Sequence, residues 1–239
     1  MFYGIFFSLL NFVLFLQYDK FIALININLG MCQRRPHKRK MEQKDKLIQD
    51  LEGEIKGDTI LFFDMDGTLV DTNLANFLSY KKAIISVTKS NHDLTYNSDK
   101  RFNRSCLKNA VPNLSENEYE RIIQEKEEYY NDFLKETKLN VEIVEILFKY
   151  SKTNKTILVT NCRKDRAVKT LKHFGLEDIF CNIFYREFSE NEEKVNKFQN
   201  AISKLGVPPK SVIAFENEEI EIEDAKNAGI QKIIKIKTN

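Results

Sequence analysis

The chain has 239 residues, and its 37 basic and 35 acidic side chains leave a formal net charge of +2. This near-balance excludes the strongly basic composition of nucleic-acid-binding proteins, so no nucleic-acid partner is expected. The length is sufficient for one α/β domain with a modest insertion, or for two small domains. Four scattered cysteines without a CxxC pair and only three histidines argue against a zinc site or a disulfide scaffold. They favour a reducing, cytoplasmic compartment.

The first forty residues, here called the leader, are first apolar and then basic. Residues 2–16 are almost entirely apolar, but Asp19 and Lys20 interrupt the pattern before it resumes. A membrane span would have to bury both charges, and the basic cluster at 33–40 follows the apolar run, unlike a signal peptide. Three interpretations stay open: a disordered or non-native leader, a membrane anchor with the catalytic domain in the cytoplasm, and packed structure. Membrane contact is expected only through residues 1–30.

Helical patterns dominate the part of the chain that follows the leader. Charged residues alternate with a narrow apolar stripe over 41–57, which indicates a helix packed against the next domain. Residues 72–150 lack strand-like runs and predict an all-helical insertion. Within it, Ser115 and Glu118 form a capping-box pattern at the start of a long charged helix.

Short apolar runs indicate five β-strands. They lie at 59–63, 156–161, 180–185, 211–215 and 230–236. Because the last four alternate with helical patterns, we predict a parallel sheet with helices on both faces. The predicted fold is therefore α/β, with a three-layer Rossmann-like core formed by 41–71 and 151–239 and an insertion at 72–150.

The first predicted strand ends in residues 64–71, DMDGTLVD, which contain two carboxylates two positions apart. Buried like charges are costly, so packing alone rarely explains such a pair. The carboxyl end of a parallel strand is where open α/β sheets bind ligands. The alternative without a function is an acidic turn after a strand.

This stretch resembles the first motif, Asp-x-Asp-Gly-Thr-Leu-x-Asp, of the haloacid dehalogenase (HAD) superfamily of phosphotransferases. It fits the motif at every defined position, and the resemblance extends over about residues 58–239. The helical insertion is similar to the cap of the phosphatase and β-phosphoglucomutase-like branch, and residues 72–150 are called the cap below. In that family the cap closes over the crevice and contacts the substrate; a plain helical insertion is the alternative.

The resemblance assigns the two acids distinct roles. It implies that Asp64 attacks phosphorus and forms an aspartyl-phosphate, a known route for carboxylates. It implies that Asp66 protonates the leaving oxygen and then deprotonates the hydrolytic water. In the family both residues also bind Mg²⁺, Asp66 through its backbone carbonyl. Gly67 would permit the tight turn that lets both acids face the crevice.

The expected phosphoryl contacts lie on three strand ends. Gly67 and Thr68 belong to the first motif. Thr160, with Asn161 beside it, matches the second motif, a hydroxyl at the end of the neighbouring strand. The third motif is a lysine that neutralises the phosphoryl charge, and spacing favours Lys194 over the alternative Lys197.

The fourth motif is where the chain departs from the family. Glu216 and Asn217 follow the fourth strand, whereas relatives usually carry an aspartate, a direct Mg²⁺ ligand, in place of Asn217. Asparagine can coordinate through its carbonyl oxygen but removes one negative charge. Glu216 could compensate as a ligand and Glu221 in the outer shell. The alternative is an acidic helix start that the helix dipole favours.

Together these motifs predict a Mg²⁺-dependent phosphatase that acts on a small phosphorylated metabolite. A sugar phosphomutase of the same fold and a weakly catalytic phosphate-binding or regulatory protein remain alternatives. Substrate identity and oligomeric state stay open. Four side chains of the cap could meet an anionic substrate or form a solvated face: Tyr80, Lys81, Lys82 and Arg104.

Overall fold

The computed structural model describes residues 49, 51–188 and 195–237 of the chain. In chain order its helices and strands are β1 (Ile60–Phe63), β2 (Val70–Asp71), α1 (Asn73–Thr88), α2 (Arg104–Ala110), α3 (Glu116–Tyr129), β3 (Lys138–Leu139), α4 (Val141–Tyr150), β4 (Lys155–Val159), α5 (Lys164–Phe174), β5 (Asn182–Phe184), α6 (Lys197–Leu205), β6 (Val212–Glu216), α7 (Glu219–Asn227) and β7 (Lys232–Lys235). Three short 3₁₀ segments connect some of them, at Tyr130–Glu136, Glu177–Ile179 and Pro209–Ser211.

The core is a five-stranded sheet in the order β5-β4-β1-β6-β7, and all four strand pairings are parallel. Strand β1 is central and apolar throughout because both of its faces are covered. Leu61 and Phe63 face one apolar cluster, and Ile60 and Phe62 face the other. The prediction of a Rossmann-like α/β sheet is thereby confirmed.

The cap has an apolar core of its own, formed mainly by α1, α2 and α3. The predicted capping box is confirmed: Ser115 Oγ accepts a hydrogen bond from the Glu118 backbone, and the Glu118 carboxylate accepts one from the Ser115 backbone. The long charged helix ends at Tyr129, earlier than its charge pattern suggests, because the chain tightens into the 3₁₀ segment that follows.

A small antiparallel pair, β2 with β3, lies where the chain passes between the core and the cap. Two-residue strands carry no readable periodicity, so sequence analysis did not predict this pair. The last strand also begins later than predicted. The Ile230 backbone N–H donates to the Ala225 carbonyl and closes α7, so the strand begins at Lys232.

Several predictions fall outside the described residues. They are the leader, residues 41–48 and 50 of the helix predicted at 41–57, and Lys194. The described part of that helix ends at Glu52, where the chain enters a turn, and not at residue 57 as predicted. At the edge of the described part, Leu51 is fully buried against the larger core cluster. Among the described residues, no helix combines the length and apolarity that crossing a membrane requires.

Candidate active site

The carboxyl ends of β1, β4 and β6 meet at one cavity of about 160 Å³. The parallel register brings the end of β1 between the ends of its two neighbours. The cavity is therefore lined by residues that follow separate strands, in addition to residues from the adjoining helices and the cap. The lining side chains are Asp64, Asp66, Arg101, Thr160, Asn161, Cys162, Arg166, Lys197, Glu216, Glu218 and Glu221.

Lys197, at the start of α6, is the cation at the acidic end of this cavity. Its Nζ lies 2.8 Å from Asp64 Oδ1, 2.7 Å from Glu216 Oε2 and 3.6 Å from Glu221 Oε2. Burial alone would lower the pKa of Lys197, but the three carboxylates reverse this and hold it well above the usual range. Lys197 is thus a permanent positive charge beside Asp64.

Asp64 is almost completely buried, with 5% of its surface exposed. Burial and the charge of Glu216 raise its pKa to about 7, although Lys197 offsets part of this rise. Three carboxylates around a single ammonium group carry an excess of negative charge. The acidic end therefore favours a further cation.

Asp66 faces the opposite side and is held by cations from both the core and the cap. Its Oδ2 accepts a hydrogen bond from Arg166 Nη2 at 2.6 Å and lies 3.5 Å from Arg101 Nη2. Its Oδ1 accepts one from Thr72 Oγ1 at 2.7 Å. Burial alone would raise the pKa of Asp66, but Arg166, Arg101 and the Thr72 hydrogen bond hold it well below the usual range. Asp66 is therefore a carboxylate in this arrangement.

Gly67 and Asn217 are in direct contact. Gly67 has a φ of +87°, which favours glycine, and a Cβ added there would lie 2.4 Å from Asn217 Nδ2. One terminal atom of the Asn217 amide lies 3.1 Å from Thr68 Oγ1, 3.0 Å from the Asp66 carbonyl oxygen and 3.3 Å from Glu216 Oε1. As nitrogen, the amide atom that faces these oxygens donates to them. As oxygen, it accepts a hydrogen bond from Thr68 Oγ1 and faces the Asp66 carbonyl oxygen.

The other predicted site residues lie in or beside the cavity. Thr160 Oγ1 accepts a hydrogen bond from the Cys162 backbone, and Asn161 Nδ2 donates to Glu221 Oε2 at 2.6 Å. Glu216 uses one carboxylate oxygen for Lys197 and the other for the backbone N–H groups of residues 217 and 218. Its carboxylate therefore orients Lys197 and the start of α7.

The structure describes only one of the two candidate lysines of the third motif. Lys197 makes the contacts with Asp64 that the third motif implies. Lys194, which spacing favoured, lies outside the described residues. Of the cap side chains, Lys82 pairs with Asp132 on the surface, and Arg104 is exposed.

Sequence analysis missed Arg166 and Arg101. Arg166 lies on the buried face of α5 with Ala167, Thr170 and Leu171. A charged residue in register with an apolar helix face is the signal that could have revealed it. Arg101 lies in a loop of the cap, and no periodicity of the sequence marks it.

No three His, Cys, Asp or Glu side chains among the described residues converge as a metal-ligand set. The donors available beside Asp64 are instead a backbone carbonyl, that of Asp66, and the amide of Asn217. All are oxygen donors of the kind that Mg²⁺ prefers. Cis ligands of an octahedral Mg²⁺ at 2.0–2.1 Å lie about 3 Å apart, close to the 3.0 Å between the Asn217 amide and the Asp66 carbonyl. These residues fit the ion.

Comparison with known proteins identifies the family to which the chain is similar. The haloacid dehalogenase-like hydrolase family model matches residues 61–235. A phosphorylated carbohydrates phosphatase of Thermotoga maritima is 28% identical over 180 residues, which cover 72% of this chain and 82% of the relative.

Solved structures of the same fold include three informative neighbours. A provisionally named β-phosphoglucomutase from Thermotoga maritima has a TM-score of 0.57 at 26% identity, covering 76% of this chain and 86% of that one. A provisionally named phosphoglycolate phosphatase from Haemophilus somnus has a TM-score of 0.61 at 19% identity, and the match covers 77% of this chain and 88% of that one. A haloacid dehalogenase-like family hydrolase from Streptococcus pneumoniae has a TM-score of 0.59 at 20% identity, and the match covers 74% of this chain and 84% of that one. The last two similarities speak for the fold alone.

Proposed function

This chain belongs to the haloacid dehalogenase-like hydrolase family, and from that premise we propose that it hydrolyses a small phosphorylated metabolite through an aspartyl-phosphate on Asp64, with Mg²⁺ as cofactor. The observation that carries the proposal is the buried contact between Asp64 and Lys197 at the carboxyl edge of the sheet. A carboxylate nucleophile next to a fixed cation is what in-line attack on a phosphate ester requires.

In the first step Asp64 attacks phosphorus, and the bond between phosphorus and the ester oxygen breaks. Lys197 holds the Asp64 carboxylate in place and offsets the negative charge of the phosphoryl group. The leaving oxygen takes a proton from the carboxyl group of Asp66. The Thr160 hydroxyl and the Asn161 side chain line the same cavity, and in this proposal they contact the phosphoryl oxygens.

In the second step a water molecule attacks the aspartyl-phosphate, and Asp66 accepts its proton. Free phosphate leaves and Asp64 is restored. Asp66 as described is the charged, proton-accepting form, because Arg166 and Arg101 hold it as a carboxylate. The first step requires the same carboxyl group to have taken up a proton before the ester oxygen leaves.

The donor set for Mg²⁺ is Asp64, the backbone carbonyl of Asp66 and the Asn217 amide. When bound, Mg²⁺ would neutralise the excess negative charge around Asp64 and polarise a phosphoryl oxygen. Glu216 and Glu221 contribute charge at longer range, since both carboxylates are directed to Lys197.

Hydrolysis of an activated ester tests the proposal directly. The purified protein is expected to release p-nitrophenol from p-nitrophenyl phosphate in the presence of Mg²⁺ and to lose this activity in EDTA. Activity should return when Mg²⁺ is added in excess of the chelator. Full activity in EDTA would contradict the role of the metal, and no hydrolysis of any phosphate ester would contradict the proposed function.

Replacing Asn217 by Asp tests the metal site without relying on turnover. We expect Asn217→Asp to bind Mg²⁺ about tenfold more tightly, because ligand charge strengthens hard-cation binding. Without metal, the new carboxylate would face the Asp66 carbonyl and Glu216, so the variant should melt at a lower temperature than wild type. Isothermal calorimetry with Mg²⁺ alone and thermal melts in EDTA measure both effects.

Asn217→Ala is the matched control for this experiment and should weaken Mg²⁺ binding. Equal affinities in all three proteins would show that residue 217 is not a ligand. No Mg²⁺ binding by any of them would favour the alternative of a phosphate-binding or regulatory protein.

The substrate class that relatives support is a phosphorylated carbohydrate, from the Thermotoga maritima phosphatase. The neighbour named for β-phosphoglucomutase, at 26% identity, keeps a phosphomutase as the second candidate. The two differ in product: a phosphatase releases free phosphate, whereas a mutase returns an isomerised sugar phosphate. Phosphorus NMR of a sugar-phosphate reaction distinguishes them.

A further inference from the structure

Arg166 is held in the cavity by both the core and the cap. Its Nε donates to Cys162 Sγ at 2.8 Å, and its Cζ lies 5.1 Å from the centre of the Tyr130 ring. Its Nη1 lies 4.0 Å from Glu127 Oε2. The guanidinium is thus pre-positioned although only 9% of the residue is exposed.

Asp66 uses only part of the hydrogen-bonding capacity of this guanidinium. Of its five N–H groups, one donates to Cys162 and one to Asp66, which leaves three. Within the described part of the chain, those three have no hydrogen-bond acceptor. Arg166 also lines the cavity. Guanidinium donors that face a cavity without an acceptor indicate a place for an anionic ligand.

Arg101 brings a second guanidinium to the same end of the cavity. Its Nη1 donates to Thr72 Oγ1 at 3.1 Å, and its Nη2 lies 3.5 Å from Asp66 Oδ2. A guanidinium group can pair bidentately with a carboxylate or a phosphate, so two of them at one end of a cavity favour such anions.

Further charged side chains of both signs surround the two arginines. Lys126, buried in the cap, adds a third cation and contacts Glu127 at 3.0 Å. Glu127 and Glu218 are further carboxylates that interact with these cations, Glu127 with Lys126 and Arg166, and Glu218 with Arg101. Burial is the first cause that lowers the pKa of Lys126 to about 8, and the charge of Arg166 adds to it, in spite of Glu127.

A purely structural role, to neutralise Asp66, would require fewer cations than the site contains. One arginine is sufficient to neutralise Asp66, whereas two contact it and a third cation lies behind them. The opposite end of the cavity has the reverse composition, with carboxylates around Lys197. A substrate that spans the cavity would meet the phosphoryl-transfer groups at one end and unsaturated arginine donors at the other.

We propose that Arg166 and Arg101 form a second oxyanion subsite that selects phosphomonoesters carrying a further carboxylate or phosphate group. This inference rests on the proposed function, because Asp64 and Lys197 are taken to receive the transferred phosphoryl group. Arg166 is the specificity-determining residue, and Arg101 closes the subsite from the cap.

Matched substrate pairs test the subsite. The first pair is 3-phosphoglycerate and glycerol 3-phosphate, which differ by a carboxylate; the second is fructose 1,6-bisphosphate and fructose 6-phosphate, which differ by a phosphate. We expect wild type to prefer the doubly anionic member of at least one pair by about tenfold or more in kcat/KM, mainly through KM. The pair that shows the preference identifies the second group as carboxylate or phosphate.

In Arg166→Met the ratio within the preferred pair is expected to fall close to one. The ratio is the readout because a general loss of activity through Asp66 would lower both members equally. Arg166→Lys keeps the charge but not the fork and should retain part of the preference. Arg163→Met is the matched control, because Arg163 lies beside the same helix and its side chain is 48% exposed. The ratio of kcat/KM within the preferred pair should equal that of wild type in this variant.

Binding separates failure of this inference from failure of the proposed function. Calorimetry measures how the same four compounds bind to the Asp64→Asn variant and to the double variant that also carries Arg166→Met. Because both variants lack the nucleophile, the measurement needs no turnover. A binding preference that disappears in the combined variant supports the subsite. Equal affinities within both pairs overturn it, even if p-nitrophenyl phosphate is hydrolysed normally and the proposed function stands. A protein that hydrolyses no ester yet shows the Arg166-dependent preference would overturn only the proposed function.

Discussion

Replacing Asp64 by Asn is expected to lower kcat/KM for p-nitrophenyl phosphate by at least about 10³-fold, the scale on which removal of a nucleophile acts. The amide keeps the shape of the side chain but cannot form the acyl-phosphate. Steady-state release of p-nitrophenol at saturating Mg²⁺ measures the loss. An Asp64→Asn variant with activity close to wild type would rule out the aspartyl-phosphate mechanism.

Stability measurements separate this loss from misfolding. Folding raises the pKa of Asp64 from 3.8 to about 7, so the metal-free folded protein binds this proton more tightly than the unfolded chain does. Its stability therefore falls as pH rises from about 4 to about 7. Asp64→Asn lacks this titration and should melt at or above the wild-type temperature at pH 8 in EDTA, with the advantage disappearing near pH 4. A much lower melting temperature at pH 8 would contradict this assignment.

Replacing Lys197 by Met is expected to remove both activity and stability. Lys197 is 3% exposed and is the cation that Asp64, Glu216 and Glu221 share. Removing one partner of a buried ion pair costs about 3–5 kcal/mol, which for a chain of this size lowers the melting temperature by about 6–20 °C. Differential scanning fluorimetry at pH 8 and p-nitrophenyl phosphate hydrolysis measure the two losses. Part of the stability should return at lower pH, where the unpaired carboxylates bind protons.

Two lysine variants are the controls. Lys204→Met removes an exposed lysine of the same helix that pairs with Glu187 on the surface, and should change stability by no more than about 0.5 kcal/mol. Lys194→Met tests the lysine that spacing favoured, and we expect activity close to wild type because Lys197 contacts the nucleophile. If Lys194→Met abolishes hydrolysis while Lys197→Met retains it, the third motif belongs to Lys194.

The side chains around Lys197 and those around Asp66, at the two ends of the cavity, carry charges of opposite sign. In the proposals made above, the carboxylates around Lys197 favour a divalent cation, Lys197 offsets the charge of the transferred phosphoryl group, and the arginines around Asp66 favour a further anion. Asp66 lies between them and contacts both arginines. Binding of a second anionic group would therefore act on the acid–base residue as well as on substrate affinity, which links specificity to catalysis in one contact.

Local sequence determined the parts of this protein that depend on neighbouring residues. An apolar strand followed by two acids and a glycine within 64–71 predicts the nucleophile, the acid–base residue and the turn, because all lie at one strand end. Alternating strand and helix patterns likewise predicted the parallel sheet. The capping box at Ser115 was readable for the same reason, since both of its members lie within one helical turn.

The tertiary structure alone decided which distant side chains complete the site. Lys197 reaches Asp64 across 133 positions, and Arg166 reaches Asp66 across 100. Such contacts depend on strand order and on which face of a helix is buried, and spacing along the chain does not encode either. That is why spacing favoured Lys194 and gave no role to Arg166. The acids at 64 and 66 were readable from the chain, but the charged side chains that shift their pKa values are brought to them by folding.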